Sequence, residues 1–484
     1  MVLFKDLRAF LEKAEEYGQL KVIEGAHWDL EIGLLTEWQA GLPDSPVLLF
    51  DRIVGHTPGF RVVSNLFTNN FRTALALGLP VQASIPEQIR VWRAREKNLK
   101  LIPPRFVAKG PVMENVEVGG EVDLFKFPSP KWHIRDGGRY IGTGDMVIVK
   151  DPETGWVNLG TQRVQVHDRN TVTIVMSPGR HNEILRRRYW EKGENCPVAI
   201  SCGQAPLLWA ASNFALPWGV SEYDYAGGLL GEPVEVVKGV TTGLPIPATA
   251  EIVLEGEILP PGVDDRQEGP FGEWAGYYSD KEEKTLPAVK IKSVMYRNNP
   301  IIQGNPPLLM PLDYALGRHI RRAGVIWEEL ERQIPGIKGV WIMEGATIHG
   351  SIIISLKQEF PGHALMAAML TAGSYATAYM LKWIIVVDED IDPTKAHEVN
   401  WALGTRISDP SSQIHIINGC WGSFADPALP PDKRVKKQYD HPLIIVLACK
   451  PFHWINEFPP SVKSPPEVLE KTIEKWKPYF EKNP

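Results

Sequence analysis

Residues 146–163 read MVIVKDPETGWVNLGTQR. Met146 to Val149 is a short apolar run of strand length, and the segment from Gly155 to Arg163 joins a glycine turn to a second strand-like stretch. Runs of the same kind recur outward from it at short intervals, at Val172 to Val175, Val198 to Ser201, Ala250 to Leu254 and Ala288 to Val294. Between Phe106 and Ile302 the pattern therefore predicts a β-rich domain whose natural container is a barrel or a strongly curved sheet. Two helices interrupt it, His181 to Lys192 and Glu222 to Leu230, the second opened by Ser221, a residue type suited to the N-cap.

Before this domain, Leu3, Leu7, Phe10, Leu11, Ala14 and Tyr17 recur at helical spacing with charges between them, which predicts a packed amphipathic helix and not a signal peptide. Strand-like runs (Val47 to Phe50, Phe60 to Val63) and a helix from Pro86 to Leu101, stopped by Ile102-Pro103-Pro104, complete a small α/β domain. After Asn305, strand-like runs (Gly339 to Met343, Ser351 to Leu356, Trp383 to Val387, Leu443 to Leu447) alternate with helical ones (Tyr314 to Gln333, His363 to Met380, Ala396 to Ile407), which predicts a third, α/β domain. Residues Ser464 to Phe480 predict a terminal helix whose stripe of Val468, Leu469, Ile473, Trp476 and Phe480 could pack on its own subunit or on a neighbour, with packing on its own subunit the first expectation. The expected architecture is mixed α/β (α+β) in three domains, 1–105, 106–304 and 305–484.

A chain of 484 residues is long enough for several cores, and 44% apolar with 23% charged residues places it among globular proteins. Lysine and arginine number 52 against 58 acidic residues, a net charge of −6 with no basic run to follow a phosphate backbone, so nucleic acid is not an expected partner. The four cysteines, Cys196, Cys202, Cys420 and Cys449, form no CxxC pair, which fits a reducing cytoplasm. No apolar run approaches the ~20 residues that span a bilayer.

Three segments carry residues suited to chemistry. In the first, alternation places Asn158 and Gln162 on one face and Arg163 on the other unless the strand bulges. In the second, Ser177-Pro178-Gly179-Arg180-His181-Asn182-Glu183 starts a helix with a histidine in its first turn, and Glu222 opens another helix. An asparagine, a histidine and a glutamate would supply O, N and O ligands, an incomplete set for Mn2+ or Mg2+ that phosphate oxygens or water would complete. In the third, Glu268-Gly269-Pro270-Phe271-Gly272-Glu273-Trp274 sets two carboxylates on a constrained turn too apolar to be fully solvated, and carboxylates coupled beside an arginine suit proton delivery. Read alone, Asn158 would be a turn residue, Arg163 a surface ion-pair partner and His181 a solvated histidine.

Taken together, these segments resemble the UbiD family of prenylated-flavin decarboxylases, from the N-terminal helix to about Asp409-Pro410. The resemblance implies a central split barrel related to flavin reductases and a C-terminal α/β domain that builds oligomers, a homodimer or homohexamer. It implies that prenylated FMN (prFMN) is bound by Asn158, Leu159, Gly160, Thr161, Gln162, Arg163, Arg180, His181, Glu222 and, by a looser match, Lys382. Asn158, His181 and Glu222 would hold Mn2+ against the flavin phosphate, and Ala211, Ser212 and Phe214 would share Glu222 with a K+ ion. Arg163, Glu268 and Glu273 would form the catalytic network.

The implied reaction is the reversible non-oxidative decarboxylation of an aromatic, heteroaromatic or α,β-unsaturated acid, with CO2 as the other partner and a flavin prenyltransferase of the UbiX type supplying the cofactor. Losing CO2 from an sp2 carbon needs an electron sink, which a modified flavin provides, followed by a proton from a nearby carboxylic acid, for which Glu273 is the choice. One stretch departs from the family: the usual Ser-Lys-Met-Gly-Ile-Asp-like segment is here Gly419-Cys420-Trp421-Gly422-Ser423-Phe424-Ala425-Asp426. Two other readings compete, an FMN-dependent oxidoreductase on the shared barrel and a subunit of a multi-component carboxylase of the same family.

Overall fold

The stretch 146–163 folds as a β-hairpin. Strand Asp145–Lys150 pairs antiparallel with Val157–Gly160, Ile148 opposite Leu159 and Val149 opposite Asn158. Gly155 takes the left-handed conformation in the turn, where the Asp151 N–H donates to the Trp156 carbonyl. The run Met146 to Val149 does not alternate with polar residues because both faces are covered: Met146 and Ile148 enter one core, Val147 and Val149 another. The second strand ends at Gly160, so Gln162 and Arg163 lie in the connection that follows and strand alternation does not set their directions.

The computed structural model describes residues 3–42, 44–278, 284–309, 315–343, 350–423, 425–462 and 466–481. The hairpin closes one end of a curled ten-stranded sheet. Its order runs from Arg139–Gly142 through Val164–Val166, Thr171–Ile174, Lys284–Tyr296, Ile252–Ile258 and Cys196–Cys202 to Asp145–Lys150 and Val157–Gly160. Strands Asn115–Val118 and Asp265–Glu268 both pair with the long strand Lys284–Tyr296, and the register shift between Glu255 and Gly256 adds local twist. The predicted β-rich centre is thus an open, half-barrel sheet within a mixed α/β fold.

On the N-terminal side, Leu20–Glu24, Val47–Asp51 and Arg61–Ser64 form a sheet whose fourth strand, Ile301–Gln303, pairs parallel with Arg61–Ser64. That last strand returns from beyond the half-barrel. The C-terminal sheet orders Ile337–Ile342, Ser351–Leu356, Trp383–Asp388, His441–Ala448 and Ile414–Cys420, with a parallel centre buried on both faces.

Several elements differ from the sequence reading. The helix expected over His363 to Met380 ends at Gly373, after which the chain forms turns, with the Thr377 and Ala378 N–H groups both donating to the Ser374 carbonyl. The turn carries Tyr375, Tyr379 and Met380 into the central cleft. Ser221 does occupy the N-cap position of Glu222–Leu230, but its hydroxyl makes no capping bond there. The helix expected to start at Tyr314 is described from Ala315, since Tyr314, like Ser464 and Pro465 of the terminal helix, lies outside the described residues. In the terminal helix Pro466–Glu481, Val468, Leu469, Ile473 and Trp476 are exposed instead of packed on their own chain. Periodicity dictates that an apolar stripe exists, and says nothing of what covers it.

Candidate active site

Asn158 is 4% exposed and sits opposite Val149 in the hairpin, two positions before the strand ends. Its amide nitrogen donates to Asn182 Oδ1 at 2.7 Å, which turns Asn158 Oδ1 toward His181, whose Nδ1 lies 3.0 Å away. Asn182 in turn donates to the Val147 carbonyl at 3.0 Å, tying the start of helix His181–Glu191 to the hairpin. Glu222 enters from the helix it opens, 3% exposed, and accepts the Leu159 N–H at 2.8 Å. Burial pushes the Glu222 carboxyl up to about 8 in spite of that hydrogen bond, while burial, then Arg180, lowers the His181 pKa. Three polar side chains remote in sequence thus meet at one wall of a cleft.

A second group lies on the connection after Gly160. Arg163 donates from Nε and Nη2 to the two oxygens of Glu268, each at 2.8 Å, and from Nη1 to Glu273. Burial alone would lower the Arg163 pKa, but the attraction of Glu273 and Glu268 outweighs it and the guanidinium is held firmly charged. Glu268 is wholly buried, whereas Glu273 keeps 14% of its side-chain surface. The two acids are therefore not equivalent. Phe271 lies under the guanidinium at 5.1 Å.

The turn bearing both glutamates is clamped by residues that carried no sequence signal. Tyr140 donates to Glu268 at 3.2 Å, Gln165 accepts the Gly269 N–H at 3.0 Å, and Asp136 accepts the Gly272 N–H at 3.2 Å. Burial, and then the charge of Glu268, raise the Tyr140 pKa, so its hydroxyl stays a donor. Gly137 donates to the Pro270 carbonyl at 2.8 Å, and a Cβ there would meet the Gly269 oxygen at 1.8 Å. Gly137→Ala must push the turn away. It is expected to cost about 1–3 kcal/mol of stability, the usual penalty of overpacking, and to lower activity as Glu268 and Glu273 shift; urea melts with parallel assays check this, and a stable, fully active variant would contradict it.

Both groups open into one cavity of about 320 Å³. It is lined by Asn158, Leu159, Gly160, Thr161, Gln162, Arg163, Arg180, His181, Ser212, Phe214, Glu222 and Glu273 of the predicted residues, together with Thr143, Phe271, Trp274 and Arg318. The far wall comes from the C-terminal sheet's loops: Tyr375, Tyr379, Met380, Trp421, Ser423 and Ala425. The segment that departs from the family therefore reaches the cavity through Trp421, Ser423 and Ala425, while Phe424 lies outside the described residues. Arg180 bridges the cleft, its guanidinium 4.9 Å from the Tyr379 ring, and Tyr379 donates to Ser423 at 2.8 Å.

Three predicted residues do not line the cavity. Glu268 stands behind Arg163. Ala211 is buried and its carbonyl accepts the Phe214 N–H. Lys382 pairs with Asp426 at 2.8 Å, beside the lining residue Ala425. Thr161 and Ser212 hydroxyls meet at 3.2 Å near Glu222's wall. Among the described residues no group of three or more His, Cys, Asp or Glu gathers to hold a metal; the set here counts an asparagine as one of its donors.

Comparison with known proteins places the chain in a family. Profiles of the 3-octaprenyl-4-hydroxybenzoate carboxy-lyase family (UbiD) match in three consecutive parts, the N-terminal domain over residues 11–92, the Rift-related domain over 105–308 and the C-terminal domain over 315–439. The pyrrole-2-carboxylic acid decarboxylase of Pseudomonas aeruginosa is 34% identical over 421 residues, 83% of each chain. Among solved structures, vanillic acid decarboxylase of Sedimentibacter hydroxybenzoicus in its open form superposes with a TM-score of 0.86 at 29% identity over 100% of both chains. An evolved dimeric form of the UbiD-class enzyme HmfF from Pelotomaculum thermopropionicum, in complex with prFMN, gives 0.81 at 28% identity over 96% of this chain and 98% of that one. With family profiles along most of its length and curated decarboxylases alignable over most of theirs, this chain is a member of the UbiD family of carboxy-lyases.

Proposed function

We propose that the chain catalyses the reversible non-oxidative decarboxylation of an aromatic or heteroaromatic carboxylic acid, with prFMN held in the cleft by Mn2+ and K+. The observation that carries this reading is the convergence of Arg163, Glu273 and the set Asn158, His181 and Glu222 on one cavity. The aromatic acids in the relatives' names, pyrrole-2-carboxylic and vanillic, point to the substrate class. The aromatic lining of Phe271, Trp274, Tyr379 and Trp421 is compatible with a flat ligand.

The residues fit the implied ion. Asn158 Oδ1 and His181 Nδ1 are 3.0 Å apart, close enough for both donors to face one cation. Oxygen and imidazole donors suit Mn2+, and phosphate oxygens or water would complete the shell. Glu222 is a carboxylate whose burial disfavours its charge, and a neighbouring cation restores it. Ser212, Phe214, Thr161 and Glu222 line the same cavity, with Ala211 behind them, and would serve K+; Arg180 would approach the flavin phosphate from the cavity wall, and Lys382, outside the lining, would have to leave Asp426 to do so.

Bound prFMN would supply the electron sink that an sp2 carbon lacks when CO2 departs. The chain's own residues do the rest. Arg163 holds the charge of the glutamate pair and fixes their positions, Glu268 anchors Arg163 from the buried side, and Glu273 delivers the proton to the carbon that lost CO2. Of the two acids only Glu273 reaches the cavity.

Protein made without a flavin prenyltransferase is expected to be inactive, and active preparations to contain modified FMN, Mn2+ and K+. Mass spectrometry and metal analysis beside a screen of aromatic acids for CO2 release check this; unmodified FMN alone in fully active enzyme would overturn it. The exposed stripe of helix Pro466–Glu481 fits an assembly of copies, a homodimer or homohexamer.

A further inference from the structure

His181 is not held by hydrogen bonds alone. Its ring lies edge-on to two tryptophans, 5.2 Å from Trp156 at an interplanar angle of 69° and 5.1 Å from Trp218 at 88°. The two indoles also touch each other, with centroids 4.7 Å apart. They come from different segments of the chain and meet on one side of the histidine. Trp156 follows the turn of the hairpin that carries Asn158, and Trp218 lies in the turn Pro217–Val220 that leads into Glu222. Each tryptophan thus comes from a segment that also supplies one of the other candidate ligands.

The box has a brace of its own. Arg188 is seven residues after His181, two turns along the same helix and so on the same face. Its guanidinium sits 5.3 Å from the Trp218 ring, and its Nη1 donates to both oxygens of Asp151 at 3.0 and 2.9 Å. Asp151 also ties down the Trp156 turn, its N–H donating to the Trp156 carbonyl at 2.7 Å and its carbonyl accepting the Gly155 N–H at 3.0 Å. One carboxylate residue therefore connects both walls. Trp218 remains 47% exposed, so it forms the solvent-facing side of this cluster.

We infer that Trp156 and Trp218, braced by Asp151 and Arg188, are positioning residues that hold the His181 imidazole in its coordinating orientation and shield the divalent-metal position from water. This rests on the reading of His181 as a metal ligand. The physical basis is twofold. A histidine ring backed on one side by two adjoining indoles loses less rotational freedom when it binds the ion, and an apolar cover limits exchange of the ion's ligands with solvent. The polar wall of Asn158 and Glu222 supplies the donors, and the indoles supply the confinement.

The test uses the full-length protein, freed of metal by chelation and saturated with FMN, with Mn2+ binding followed by loss of the free-ion signal in electron paramagnetic resonance. Trp218→Leu is expected to weaken Mn2+ binding about 10-fold or more, the lower end of effects seen when the surroundings of a ligand are altered. Arg188→Gln should weaken it less, and Trp218→Phe, which keeps an aromatic face, should restore most of the affinity. Melting temperatures measured on the same samples separate lost affinity from lost fold. Parent-like affinity in both Trp218→Leu and Arg188→Gln, while His181→Ala loses Mn2+, would overturn the inference and leave the metal reading standing. Parent-like affinity in His181→Ala would overturn the metal reading itself. Should Trp218→Leu not fold, Arg188→Gln decides alone, unchanged affinity counting against the box.

Discussion

Replacing Glu273 with glutamine is expected to lower turnover by at least ~100-fold, the lower end of what a positioned general acid contributes. The change is nearly isosteric, and the amide oxygen can still accept from Arg163 Nη1, so the turn and its clamp by Asp136 and Gln165 should survive. Asn158, His181 and Glu222 stand on another wall and are untouched, so metal and flavin contents should match the parent. What disappears is the only proton of the pair that faces the cavity, since Glu268 is buried behind Arg163. Deuterium incorporation at the reacting carbon of product incubated in D2O measures the proton step apart from CO2 loss. Near-normal exchange and turnover in Glu273→Gln would remove Glu273 from the mechanism.

Arg163→Met should be more damaging still, because it harms stability and chemistry together. The guanidinium is the shared partner of Glu268 and Glu273, and Glu268 has no exposed surface on which to recover hydration. Breaking a buried pair by removing one member typically costs about 3–5 kcal/mol, since the remaining charge stays unsolvated. Here Tyr140 still donates to Glu268, which softens the loss and places the expectation toward the lower end of that range. Activity should fall at least as far as in Glu273→Gln, because the proton donor loses its anchor as well as its charge control. Denaturant melts and single-turnover assays together are decisive: a variant with parent stability would show that the pair is not a buried ionic network, and one with parent activity would show that it is not catalytic.

The amino-acid sequence alone was enough for the local chemistry. The glutamate turn, the hairpin with Asn158, and helices opening at His181 and Glu222 all announce themselves through short-range spacing, turn residues and periodicity. Alternation of strands with helices after Asn305 was likewise visible, because apolar periodicity reflects burial directly. What lay outside its reach were the relations between segments. Arg163 meets Glu268 and Glu273 across separations of 105 and 110 residues, and only the curl of the half-barrel sheet brings the connection after Gly160 against that turn. Tyr140, Gln165 and Asp136, which clamp the glutamates, and Trp218, which covers His181, sit in no recognisable pattern, since a side chain's partner across a sheet depends on register and twist summed over many strands. The break after Gly373 that sends Tyr375 and Tyr379 into the cleft, and the return of Ile301–Gln303 to the N-terminal sheet, were tertiary decisions of the same kind, in which non-local packing outweighs local propensity.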